Sequence, residues 1–280
     1  MNIKQHDLVL EIGSGDNPNP RADMLCDRYI TTSHERAGGF KIRIDRPMVV
    51  ADGMMLPFPD KSFDYVITSH IFEHMDDPVG FAAEIMRVGK AGYIEVPSAI
   101  SERVFGWNFH HWYCDIRDGV LTFSPKTEGE QFGGFFHRFI AQNIWFRRFF
   151  EEHEGAWYVR MEWREKIPIR VGMRTMGQDE IHELDETAWR LLANAKPETL
   201  KDLVFGIQFL FRRIIRKTRK TMRMVAWQLS KPTDLTNLII CPRCRGHLLL
   251  RQGKMECGKC NIVYAMDGVI PILLSSCEAF

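Results

Sequence analysis

Short apolar runs recur through the first 170 residues, most of them closed by an acidic residue, a proline or a glycine turn. Asp7 to Ile12 (DLVLEI) is apolar and β-rich, as a strand buried on both faces must be. Gly13-Ser14-Gly15 follows, permitting a tight turn and the close approach of a ligand to the backbone. Pro18 and Pro20 keep a long helix from starting at once. Met24-Leu25-Cys26 reads as a second strand ending at Asp27. Only eleven residues separate it from Ile12, close to the shortest crossover a parallel pair accepts, so the first helix must be abbreviated. Met48 to Ala51, ending at Asp52, Phe63 to Thr68, and Ala91 to Val96, stopped by Pro97, read as the third, fourth and fifth strands. Pro78 to Val88 puts Phe81, Ile85 and Val88 on one helical face. Tyr158 to Trp163 and Ile167 to Val171 flank a break at Glu165-Lys166, which predicts a hairpin of two final strands at a sheet edge. The alternation predicts an α/β fold: a Rossmann-like doubly wound sheet, mostly parallel, with an antiparallel edge hairpin.

The pattern changes after residue 200. From Leu203 to Lys231, the basic residues Arg212, Arg213, Arg216, Lys217, Arg219, Lys220, Arg223 and Lys231 alternate with apolar ones at helical spacing. Such a helix either packs on the first domain as a linker with solvated charges, the preferred reading, or lies on an anionic membrane surface through residues 209–223. Beyond it, Cys241 and Cys244 form one CxxC pair and Cys257 and Cys260 another, with twelve residues between the pairs. Two such knuckles give a closed tetrahedral zinc site of four thiolates, structural because no ligand position stays open. The segment is too small for a secure core without a staple. The division expected is residues 1–200 for the α/β domain, 201–232 for the linker helix and 233–280 for the zinc ribbon.

Composition narrows the classes. The chain has 280 residues, 45% hydrophobic and 26% charged, with a net charge of +1, so it is an ordinary globular chain and no basic nucleic-acid binder. No membrane span or signal peptide is read in it. An odd count of seven cysteines, four of them clustered, fits a reducing compartment, so the expected location is cytoplasmic, with peripheral membrane contact if the basic helix provides it.

Two successive strands end in acidic residues, Asp27 and Asp52, where open α/β sheets bind ligands and where a carboxylate can hold a ribose diol. The text EIGSG, then CD, then VVADGMMLPFPDKSFDYVITSHIFEHMDDP, then GYIEVPS resembles the class I S-adenosylmethionine-dependent methyltransferases, most closely the type 11 domain, from about Leu8 to Ser98. The resemblance implies that Glu11, Gly13 and Gly15 follow the methionine part of S-adenosylmethionine, and that Asp27 holds the ribose hydroxyls. It implies that Asp52, Gly53 and Met54 border the adenine, and that Ser69 and His70 lie near the sulfonium. The usual third glycine is replaced by the Asp16-Asn17-Pro18 region. A nicotinamide dehydrogenase would need that glycine, a full helix and a later acidic residue. His70-Ile71-Phe72-Glu73-His74 matches the HxxEH pattern of zinc proteases, but it follows a Rossmann-type strand, and the reading sets it aside.

SAISERVFGWNFHHWYCDIRDG, after the fifth strand, is long, aromatic and histidine-bearing, and such insertions tend to carry function. His110 and His111 are the candidate general base, with His137 a weaker one. ICPRCRGHL and YAMDGVIPILL, around the two CxxC pairs, resemble a small zinc ribbon that serves as the activator subunit of tRNA, rRNA and protein methyltransferases. The expected function is S-adenosylmethionine-dependent O-methylation of a small-molecule, sugar or lipid-linked acceptor. TSHIFEH stands where enzymes that methylate planar amide or adenine nitrogens carry Asn/Asp-Pro-Pro-aromatic. The alternatives are an RNA or translation-factor methyltransferase with a built-in activator, and an inactive cofactor-binding scaffold.

Overall fold

The computed structural model describes residues 1–30, 42–126, 133–229 and 238–274, without the side chains of 133–135, 138, 220, 223, 224 and 226–229. The first strands are β1 (Val9–Ile12), β2 (Met24–Asp27), β3 (Met48–Val50) and β4 (Tyr65–Ser69). Helix α1 (Pro78–Val88) and β5 (Ala91–Pro97) follow. The insertion after β5 forms α2 (Ala99–Phe105) and a hairpin of β6 (Trp112–Arg117) and β7 (Val120–Pro125). Then come α3 (Gly133–Gln142), α4 (Ile144–Glu152), α5 (Glu154–Trp157), β8 (Tyr158–Arg164), β9 (Ile169–Val171), α6 (Gln178–Leu192) and α7 (Thr199–Leu229). The last elements are β10 (Leu248–Arg251), β11 (Lys254–Cys257), β12 (Val263–Asp267) and β13 (Ile270–Ile272).

Strands β3, β2, β1, β4 and β5 pair in that order, all parallel, and β8 closes the edge antiparallel to β5. This is the Rossmann-like sheet the apolar runs predict. Its order reverses between β1 and β4, the place where open α/β sheets open a crevice. The four residues of β1 are all buried, as a central parallel strand requires. Helix α1 begins at Pro78 behind an Asp77 side chain that accepts the Gly80 N–H at 2.9 Å. Its Phe81, Ala82, Ile85 and Val88 are buried.

The predicted edge hairpin does not form. Strand β8 joins β5, but β9 leaves to pair in parallel with β7 in a separate three-stranded sheet, β6-β7-β9. The cause is local. Glu165 turns at φ +60, Ile167 is buried with its N–H directed at Met86 Sδ, and Pro168 has no N–H for a ladder back along β8. The Pro168 carbonyl instead accepts the Leu121 N–H at 2.9 Å.

The C-terminal strands extend the large sheet. Antiparallel β10-β11-β12-β13 end with β13 parallel to β3, where Ile272 pairs with Val50 and Leu273 N–H reaches Val50 O at 2.7 Å. A second tie runs from Ile240 N–H to Pro57 O at 2.9 Å. Cys241, Leu248, Met255 and Tyr264 share one buried cluster with Leu10 of β1 and with Phe58 and Phe63, which precede β4. The small segment thus buries its apolar face against the larger unit and covers the β3 edge.

Helix α7 is anchored at its start. Asp202 is buried and accepts from Arg148 Nε at 2.6 Å, and Phe205 is buried. Phe209 stacks on Phe205 and under the Arg147 guanidinium. Along the same helix Leu203 is 61% exposed, Phe211 62% and Ile214 52%, so α7 meets the rest of the chain along one face only. The side chains of Lys220 and Arg223, and residue Lys231, lie outside the described residues. Among the described residues no helix is long and apolar enough to cross a membrane.

Candidate functional site

At the carboxyl ends of β1 to β5 lies one cleft of about 1800 Å³. Glu11, Gly13, Gly15, Asp27, Asp52, Gly53, Met54, Ser69 and His70 all line it, and so do His110, His111 and His137. The topology brings together every residue singled out in the sequence for cofactor or base, although they are scattered between residues 11 and 137 of the chain.

The glycine turn is built for close approach. Gly13 sits at φ +71, and a Cβ there would fall 1.9 Å from Ile71 Cδ1. Gly15 sits at φ +54 with nothing within 4 Å of a Cβ, open to the cleft. The missing third glycine has a structural substitute. Instead of a helix, the segment after Gly15 folds back, Asn17 N–H reaching Ser14 O at 3.3 Å and Asn19 N–H reaching Glu11 Oε2 at 2.7 Å. Glu11 therefore holds the loop. Burial pushes its carboxyl up from 4.5 to about 7, against the Asn19 hydrogen bond and the charge of Arg46.

Asp27 is buried at the end of β2 and accepts the Tyr29 N–H at 3.0 Å. Asp52 caps the 3-10 turn Gly53–Met55, accepting the Met54 N–H at 2.8 Å, and pairs with Arg28 at 3.2 Å. It thereby fixes the Gly53-Met54 backbone that faces the cleft.

The far wall is rich in histidine. His70 adopts φ +58 after β4, its Nδ1 lies 3.2 Å from Glu73 Oε1, and its ring meets Tyr158 edge-on. Phe72–His74 is a 3-10 turn, so HxxEH does not place its histidines one α-helical turn apart, and the zinc-protease geometry is absent. Glu73 is wholly buried. Burial raises its carboxyl, but the imidazoles of His70, His74 and His110 outweigh it and hold the group below the ordinary range. His110 is buried with Nδ1 2.7 Å from Glu102 Oε2, while His111 stands half-exposed at the rim, 3.1 Å from Asp76.

Three groups of residues on this site escaped the sequence reading. Glu102 and Lys126 form a buried ion pair behind His110. Glu95 reaches Arg160 at 2.6 Å beside His70. Arg212, Ile215, Arg216, Arg219 and Met222 carry α7 across the cleft mouth. The basic periodicity of α7 was the one available signal, and it did not say which face meets the cleft.

In the C-terminal segment, Cys241 Sγ lies 3.6 Å from Cys260 Sγ, and Cys244 Sγ lies 3.4 Å from Cys257 Sγ. All four sulfurs fall within 4.8 Å of one another, and none is in a disulfide. A tetrahedron with Zn–S bonds of about 2.3 Å has edges of about 3.8 Å, so this cluster fits the ion. Burial raises both coupled thiols Cys244 and Cys257; Cys244 stays raised, while the N–H groups of Cys260 and Lys259 bring Cys257 below the ordinary thiol range.

Comparison with known proteins finds partial matches. The family model described as methyltransferase domain matches residues 25–94, the stretch that holds Asp27, Asp52, His70 and Glu73. Ajmaline N-methyltransferase of Rauvolfia serpentina is 30% identical over 94 residues, which are 27% of this chain and 32% of that protein. An uncharacterized methyltransferase of Mycolicibacterium vanbaalenii is 37% identical over 84 residues, 30% of this chain and 29% of that one. The chain thus spans about a third of the length of these relatives. A solved complex of the Haloferax volcanii Trm112 methyltransferase activator with a methyltransferase is 24% identical over 34% of this chain and 47% of that one, with a TM-score of 0.27. Residues 25–94 thus match a methyltransferase domain, and they lie on a Rossmann-like α/β sheet.

Proposed function

We propose that this protein is an S-adenosylmethionine-dependent methyltransferase acting on a hydroxyl acceptor. The observation that carries the reading is the single cleft that joins the glycine turn and strand-end carboxylates to a histidine-lined wall. In this reading Glu11, Gly13 and Gly15 hold the methionine part of the cofactor. A buried carboxylate of raised pKa is a fitting partner for an ammonium group. Asp27 accepts from the ribose hydroxyls, the Asp52-Gly53-Met54 turn borders the adenine, and Ser69 and His70 flank the sulfonium. When bound, the cofactor supplies an electrophilic methyl group. The chain's part is to align the acceptor with it, which is worth several orders of magnitude, and to take up a proton, for which His111 at the rim is placed.

The acceptor passes α7, whose cleft side is both basic (Arg212, Arg216, Arg219) and apolar (Ile215, Met222). This supports an anionic, amphipathic acceptor such as a lipid-linked intermediate, met at an anionic membrane surface. The four-cysteine cluster binds one structural zinc ion and keeps β13 on the edge of β3; RNA or translation-factor modification is the second reading, favoured only by the ribbon's kin. Calorimetry tests the cofactor. S-adenosylmethionine should bind the purified chain, and Asp27→Ala should weaken binding about 10- to 150-fold, the loss of a charge-assisted hydrogen bond worth about 1.5–3 kcal/mol. Unchanged affinity in the variant removes Asp27 from the site. Binding without turnover on any acceptor would favour the scaffold.

A further inference from the structure

We propose that Glu73, His74 and His110 form a divalent-cation site on the acceptor wall of the cleft. We further propose that the acceptor is a molecule whose hydroxyl ligates that cation. The role in methyl transfer rests on the function proposed above; the site itself does not.

The donor set comes first. One carboxylate and two imidazoles offer ligand atoms that all lie within 4.8 Å of one another, and all three residues line the cleft. Three protein ligands facing an open side are the arrangement of catalytic metal sites, unlike the closed four-cysteine cluster. Two nitrogens and one oxygen suit Zn2+, Mn2+ or Fe2+ better than Mg2+ or Ca2+.

Glu73 supplies an independent sign. It is wholly buried, its Oε1 meets His70 Nδ1, and its Oε2 has no hydrogen-bond partner among the described residues. A buried carboxylate oxygen without a partner is costly, and native proteins rarely tolerate one without reason. A cation between Glu73, His74 and His110 supplies the missing partner.

The supporting residues match what a metal-bound histidine needs. His110 Nδ1 is held by Glu102 Oε2 at 2.7 Å, which leaves Nε2 for the ion and fixes the ring's orientation. Glu102 is in turn held by Lys126 Nζ, which also donates to Trp107 O at 2.6 Å. The backbone brings the pieces together before any ion arrives. His111 N–H reaches Glu73 O at 2.8 Å, Trp112 Nε1 reaches Met75 O at 2.7 Å, and Phe72 anchors the turn in the core against Phe81 and Phe123. The His74 and His110 rings meet at 87°. The HxxEH text thus contributes two ligands, Glu73 and His74, and the third arrives from the aromatic insertion.

Such a site defines the chemistry of the acceptor. A hydroxyl that ligates the cation gives up its proton more readily, and that proton passes to His111 or to water. An oxygen lone pair then forms the bond to the methyl carbon. The carbon–sulfur bond breaks with its electron pair returning to sulfur, so the sulfonium becomes a neutral thioether and the acceptor an ether.

Titration with Co2+ of the full-length chain carrying one zinc ion, that of the four cysteines, without cofactor, tests the site. The expected result is about one further ion per chain, with a visible spectrum that lacks the thiolate charge-transfer bands of a four-cysteine site. Loss of Mn2+ resonance signal on adding protein should give the same stoichiometry. His110→Gln should weaken this binding about tenfold or more, with the circular dichroism and S-adenosylmethionine affinity of the parent. Should His110→Gln not fold, the wild-type stoichiometry decides alone. Wild-type protein that takes up no ion beyond the ribbon's at millimolar Co2+ or Mn2+ overturns the proposal, as does folded His110→Gln that binds like the parent. Co2+ binding without any cofactor binding would sink the methyltransferase reading and leave the site standing.

Discussion

Glu11 offers a test whose size can be worked from the structure. Its carboxyl is buried and its pKa stands at about 7 against an ordinary 4.5. An acid whose pKa is raised by folding is protonated more readily in the folded chain, so folding is penalised as pH rises. The penalty is small near pH 4.5, grows up to about 7 and is complete above it, where it reaches about 3 kcal/mol. Glu11→Gln removes the charge and keeps an oxygen to accept the Asn19 N–H. The variant should therefore gain stability over the parent with pH, the difference being about 2.5 kcal/mol larger at about pH 8 than at about pH 5. Urea unfolding of both proteins at the two pH values measures it, with the slopes compared to ensure that the unfolded states match. If Glu11 meets the cofactor's ammonium as proposed above, the same substitution should weaken S-adenosylmethionine binding. A stability difference that does not change between the two pH values would refute the reasoning, because burial of a charge would then not be the cause of the shift.

Gly13→Ala should destabilise by about 2–4 kcal/mol, from the left-handed backbone and from the overlap with Ile71 Cδ1, and Ile71→Ala in the same chain should recover the overlap part in a double-mutant cycle. At the four-cysteine cluster, X-ray absorption should find one zinc ion held by four sulfurs. Cys257→Ser or a strong chelator should lower the melting temperature and release β13 from β3, read as new amide exchange at Val50 and Leu273. On α7, Arg213 and Lys217 are exposed outside the cleft, so changing both to Ser should weaken binding to anionic vesicles about 30-fold with turnover unchanged. Changing the cleft-lining Arg216 and Arg219 to Ser should instead raise KM; salt-insensitive vesicle binding, tested with an RNA competitor present, would exclude the electrostatic account.

Much of this molecule was legible in one dimension because its signals are local. Apolar runs with full burial gave β1, β2 and the centre of the sheet, and the spacing of Phe81, Ile85 and Val88 gave α1 over Pro78–Val88, its observed bounds. Strand ends followed by acidic residues placed Asp27 and Asp52 in the cleft, because in a parallel sheet every strand delivers its carboxyl end to the same side. CxxC spacing is likewise a local device, and the sulfurs converge as the pattern demands. What depended on distant pairing was not legible. Strand β9 chose β7 over β8 because Pro168 and the burial of Ile167 redirect the chain, and no pattern within the strand records its partner. That β13 adds to β3, that α7 brings Arg212, Ile215, Arg216, Arg219 and Met222 to the cleft, and that His110 comes to rest beside Glu73 and His74 were decided by tertiary packing. The sequence by itself determined the elements and the chemistry each carries. The juxtapositions came only with the folded sheet, because the hydrogen bonds and buried contacts that create them join residues far apart along the chain.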